Sequence, residues 1–190
     1  MCKINKSTSI LVYIHIYMFT FLNFLTTTCL VELIFLSAFR CTKYFSSKYA
    51  INQWYTNLRW TAIILDMLSI MIGFYLAYFS YKLLKINKIV GDKNSILIYL
   101  PLVLLIQISH DLLFYFLVIK NTKKGSSIVM DEFINYSSKC GINAVLGDSL
   151  MYITGVPLLF YIATLSVDIK VFLSLTSIYI IGYLLYKNVP

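Results

Sequence analysis

Asn94-Ser-Ile-Leu-Ile-Tyr-Leu-Pro101-Leu-Val-Leu-Leu-Ile-Gln107-Ile-Ser-His110-Asp111-Leu-Leu-Phe-Tyr-Phe-Leu-Val-Ile-Lys120 is the stretch whose reading decides the fold. From Ser95 to Ile119 it carries no Lys or Arg. It is long enough to cross the ~30 Å hydrocarbon core of a bilayer as a helix. Pro101 lies near its start, where a spanning helix tolerates it. The middle, however, holds the amide of Gln107, the hydroxyl of Ser109, the imidazole of His110 and the carboxyl of Asp111. Such groups are costly in hydrocarbon, so an intramembrane His-Asp pair is read as a functional site by default.

The rest of the chain agrees with a membrane reading. Of 190 residues, 59% are hydrophobic and 13% charged, and the mean hydropathy is +0.79. Soluble domains carry about a quarter charged residues. The apolar runs lack the two-residue alternation of a membrane β-barrel. The expected class is therefore all-α: an integral membrane bundle of about five transmembrane helices, forming one domain over residues 1–190. The net charge is +8, but its Lys and Arg residues sit at the ends of apolar runs. There they meet lipid headgroups. No recognition motif accompanies the charge, so nucleic acid is not an expected partner. Cys2, Cys29, Cys41 and Cys140 have neither metal-ligand nor disulfide-framework spacing and are read as free thiols. No cofactor is specified.

Five spans follow, at about 9–39, 60–81, 95–119, 144–167 and 171–186. The first is longer than a bilayer needs, and a retained span is favoured over a cleaved signal peptide. Arg40 to Arg59 is a polar connection rich in aromatics, as at a membrane interface. In the second span Asp66, Ser69, Gly73, Ala77 and Ser80 share one helix face, a small-residue stripe suited to close packing. Between spans three and four, Ser127 is placed to cap a short amphipathic helix with Val129, Phe133, Tyr136 and Cys140 on one face, ended by Gly141. Asp168 to Lys170 reads as a tight turn before the fifth span. Basic residues divide seven to nine between the two sides, which does not set orientation. Sequons at Asn5 and Asn135 fall on opposite sides.

Depth then organises the ionisable groups. Measured from the first-loop side at helical rise, Glu32 lies roughly 12 Å in, Asp66 roughly 10 Å, Asp111 roughly 13 Å and Asp148 roughly 8 Å. Antiparallel spans make these depths comparable, so four carboxyls, with His110 and Gln107, are expected in one leaflet. No Lys or Arg within the spans neutralises them. The candidate site is thus Glu32, Asp66, Gln107, His110, Asp111 and Asp148, with His110 the nearby cation available to Asp66, Asp148 or Glu32. His15 lies near the opposite face. Adjacent His110 and Asp111 point about 100° apart on a helix and lack the i, i+4 spacing of helical metal motifs. No nucleophile elbow, phosphate loop or zinc motif accompanies the cluster.

Three motifs, Gln107-Ile-Ser-His-Asp-Leu-Leu-Phe-Tyr-Phe116, Asp131-Glu-Phe-Ile-Asn-Tyr136 and Ala144-Val-Leu-Gly-Asp-Ser-Leu-Met151, give the C-terminal half its resemblance. It resembles an uncharacterised multi-pass membrane protein family of large nucleocytoplasmic DNA (giant) viruses. The resemblance implies a protein of the virion's internal membrane or of host membranes used in assembly, and carries no activity. The function expected is that of a structural or assembly component whose polar cluster fixes helix packing. A proton, cation or small-solute transporter or channel is the alternative, and a lipid-modifying membrane enzyme the next. Expected partners are the lipid bilayer and other membrane proteins or further copies of the chain.

Overall fold

A computed structural model describes residues 20–41, 51–86 and 95–187. Among them are seven α-helices and no strand: α1 Phe21–Cys41, α2 Ile51–Leu58, α3 Trp60–Ile86, α4 Ser95–Leu117, α5 Ile128–Cys140, α6 Ile142–Ala163 and α7 Val167–Leu185. α1, α3, α4, α6 and α7 are each long and apolar enough to cross a membrane. This is the architecture of a multi-pass integral membrane protein. The outer surface fits it, for Leu105, Leu113 and Leu117 of α4 and Phe172, Tyr179 and Tyr183 of α7 all point outward. In hydrocarbon the Leu and Phe side chains cost nothing.

α1 stands at the centre, packed against α3, α6 and α7, while α4 lies on the flank against α3 and α6. The composition of α1 explains its position. Asn23, Thr26, Thr27, Thr28 and Glu32 are all completely buried along it. Lipid would leave these groups without partners, so the helix that carries them is the one surrounded by protein. Thr26 and Ser174 share a hydroxyl–hydroxyl bond of 2.9 Å that joins α1 to α7. Elsewhere small residues let backbones approach. Gly73 of α3 faces Tyr152 of α6, whose hydroxyl donates to the Ser69 carbonyl at 3.1 Å. From the same stripe Ala77 is also buried, whereas Ser69 is exposed. Farther along, Tyr99 of α4 donates to the Phe74 carbonyl at 2.7 Å and clamps α4 to α3.

Two short amphipathic helices close one end of the bundle. α5 forms as its sequence implies: Ser127 accepts a bond from the Met130 amide, and Gly141 ends the helix with φ of +52°. α2 lies within the polar, aromatic-rich connection, and is helical because Asn52, Trp54, Tyr55 and Leu58 fall on one buried face. The two helices pack together. The Trp54 ring sits 4.7 Å from that of Phe133 and 6.1 Å from that of Tyr136. Lys139 donates to Gln53 at 2.7 Å, and Asn57 to Glu132 at 2.9 Å. Arg59, with φ of +48°, makes the bend between α2 and α3, its guanidinium 5.1 Å from the Tyr186 ring centre.

Some boundaries differ from the sequence reading. Asp168 and Lys170 lie inside α7, not in a turn, and the connection is Thr164 to Ser166. Ser166 caps α7 by accepting from the Ile169 amide, and Asp168 occupies the first turn, where the helix dipole favours an acid. α3 continues to Ile86, past Tyr81. α4 runs through Pro101 and gives way at Leu117 to a 3-10 turn at Ile119–Asn121. The tail with Cys2 and Asn5, and the N-terminal part of the first span with His15, lie outside the described residues.

Candidate functional site

The capped end of the bundle is where Glu32, Asp66, His110, Asp111 and Asp148 of the spans are found, while Lys82 and Lys85 of α3 and Asp168 and Lys170 of α7 lie toward the other end. α3 enters there carrying Asp66 one and a half turns in, and α6 carries Asp148 likewise. α4 leaves there with Gln107, His110 and Asp111. α1 leaves there with Glu32. These acids therefore lie toward the capped ends of their helices.

Five of the six candidate residues line one cavity of about 400 Å³ between α3, α4 and α6: Asp66, Gln107, His110, Asp111 and Asp148. A second cavity of about 360 Å³ lies between α4, α5 and α6, and it too is lined by Asp111 and Asp148. A third, of about 80 Å³, runs under α2 and touches Asp66 and Asp148. Phe133 of α5 borders all three. Phe114 stands edge-on to it at 5.2 Å.

The polar contacts are specific. Ser149 of α6 donates to the Gln107 carbonyl oxygen at 2.9 Å. The Gln107 amide nitrogen donates in turn to Oδ2 of Asp111. Asp111 Oδ1 is 3.3 Å from Nδ1 of His110, and Asp111 and Asp148 line the same two cavities. Asp66 is held from the cap: Trp54 donates its indole N–H to Oδ2 at 3.2 Å, and the Tyr55 hydroxyl points at the same carboxyl.

Glu32 differs from the other five. It lines none of these cavities, and it is completely buried. The Tyr55 hydroxyl approaches it, but neither carboxyl oxygen makes a hydrogen bond of good geometry. It is close enough to Asp66 and Asp148 for their charges to interact. Burial is the main reason that the Tyr55 hydroxyl lies well above the usual tyrosine range, with Glu32 and then Asp66 adding to it. Tyr136 of α5 is raised in the same way, by burial first and then by Asp148.

His110 departs from expectation. Its partner is Asp111, its own neighbour, and not Asp66, Asp148 or Glu32. Its side chain is 54% exposed, against 18% for Asp111. The ring stacks on Phe114 one turn later, at 6.0 Å and 5°. That stacking turns the imidazole along the helix toward the Asp111 carboxyl and overcomes the 100° separation. Among the described residues no three His, Cys, Asp or Glu side chains stand where they could share a metal ion.

Sequence reasoning missed Ser149, Trp54 and Tyr55. Ser149 follows Asp148 directly, and its role depends on which face of α6 meets α4. Trp54 and Tyr55 carry the interfacial aromatic signal of a belt, and only the fold of α2 over the bundle turns them onto Asp66. No family model, curated protein or solved structure matches this chain.

Proposed function

We propose that this chain is a multi-pass component of a viral or host membrane that takes up and passes protons, or small cations in their place, at the Asp111–Asp148 pair. The observation that carries this reading is that Asp111 and Asp148 both line the two larger cavities. Carboxyls gathered beside a cavity away from bulk water are suited to bind a proton or, in its place, a small cation. Among the described residues no Lys or Arg lines either cavity. The viral setting rests on the sequence resemblance.

The test is flux into liposomes reconstituted with the full chain and loaded with a pH-sensitive dye. Wild type is expected to dissipate an imposed proton gradient, and Asp111→Asn and Asp148→Asn to abolish the effect. Wild-type flux no greater than that of empty liposomes sinks the proposal. It would leave the structural reading, which has its own support in the Asp111–Gln107–Ser149 chain tying α4 to α6.

A further inference from the structure

The larger cavity is amphipathic along the membrane normal. α3 and α4 are clamped together at Tyr99. Toward the capped end, the cavity stands between them. Its α3 wall descends from Leu65 through Leu68 and Ile72 to Leu76, a rise of roughly 16 Å. That is about the depth of one leaflet of a ~30 Å hydrocarbon core. Leu68, Ile72 and Leu76 are each about half exposed, at 50%, 55% and 49%, so the cavity opens sideways onto the surface that lipid covers. Its polar groups are gathered at the capped end: Asp66, Gln107, His110, Asp111 and Asp148. Phe114 and Phe133 also line the cavity. Glu32, completely buried and without a well-formed hydrogen bond, adds a further carboxyl behind Asp66 and Asp148.

We infer that this groove binds a single-chain amphiphile with an ammonium head, taken laterally from the bilayer, its tail along Leu68, Ile72 and Leu76 and its head between Asp66, Asp111 and Asp148. The inference deepens the reading of the acidic pair as a cation site and rests on it. Charge selects the head, since three carboxyls, Asp66, Asp111 and Asp148, line the groove against the single imidazole of His110, and no Lys or Arg among the described residues lines it. Shape selects the tail, because a cavity for a small hydrated ion has no need of a 16 Å apolar extension.

The experiment measures binding of dodecylammonium, dodecanol and methylammonium to the full chain in lipid nanodiscs, with stoichiometry by native mass spectrometry and affinity by quenching of indole fluorescence. Dodecylammonium is expected to bind one to one. Asp148→Asn is expected to weaken it by about tenfold or more, the loss of one charge-assisted bond. Ile72→Trp fills the groove from an exposed position that leaves the core intact. It is expected to weaken dodecylammonium by about tenfold and leave methylammonium unchanged. If methylammonium binds as tightly as dodecylammonium and Ile72→Trp alters neither, the amphiphile is overturned while the cation site stands. If dodecanol matches dodecylammonium and Asp148→Asn alters neither, or if none of the three binds, both readings fall.

Discussion

Trp54 donates its indole N–H to Asp66 at 3.2 Å, across the bend at Arg59 that separates the cap from the first membrane helix after it. Trp54→Phe keeps an aromatic ring against Phe133 and removes only the donor. It is expected to cost roughly 1–3 kcal/mol, the range for leaving a buried acceptor short of a partner. Thermal unfolding in detergent micelles measures it. Trp54→Ala is expected to cost more, since the ring contact with Phe133 is lost as well. Equal losses for the two variants would show that the hydrogen bond dominates and the packing contributes little.

Gly73 lies so close to Tyr152 that a Cβ there would overlap the tyrosine hydroxyl. Gly73→Ala must therefore displace a ring that is nearly buried and bonded to the α3 backbone. The expected loss is about 1–3 kcal/mol, the usual cost of overpacking. Combining it with Tyr152→Phe removes the nearest clashing atom, so the double variant should lose less than the sum of the singles. Strict additivity in that cycle would mean that the two helices do not meet here.

Thr26 and Ser174 bridge α1 to α7 with buried hydroxyls, and Ser174 also donates to the Lys170 carbonyl. Interhelical bonds of this type are worth about 0.6 kcal/mol on average in membranes and up to about 2. Thr26→Val preserves shape and should cost an amount in that range. Ser174→Ala in the Thr26→Val background should add little, because the bond is already gone. A double-mutant cycle on thermal stability reads this directly.

Tyr55 supplies a pH dependence outside the membrane helices. Burial, then the charge of Glu32, holds its hydroxyl well above the ordinary value of about 10. The folded state thus keeps a proton that the unfolded chain gives up. This contribution is intact below about pH 10 and is lost as pH rises toward the folded value. Tyr55→Phe, unable to ionise, should show a shallower fall in stability above about pH 10 than wild type. Parallel slopes would place the hydroxyl in contact with water.

How much of this was legible beforehand differs between fold and site. The composition and the apolar runs were enough for an all-α bundle with five spans, and Ser127, Phe133 and Gly141 marked α5 almost to the residue. Those signals are local: hydrocarbon length, helix period and capping chemistry act within one segment. The end of the fourth span was misread because Asp168 and Lys170 look like turn residues, while Ser166, which caps α7, carries a weaker signal.

Depth, too, could be counted from sequence, so the acids were placed near one end before any helix was packed. What depth cannot supply is rotation. Whether Asp148 meets Asp111, whether Ser149 reaches Gln107 and which way His110 turns all depend on the faces the helices present to one another. That choice is made by long-range contacts: the Gly73–Tyr152 approach, the Tyr99 clamp and the buried hydroxyls of α1. The sequence by itself determined that Glu32, Asp66, Gln107, His110, Asp111 and Asp148 sit on apolar segments long enough to span a membrane. Only the tertiary structure separated Glu32 from the cavity lining, set His110 against its own neighbour and closed the site with Trp54 and Phe133, because side-chain direction is fixed by packing and not by position along the chain.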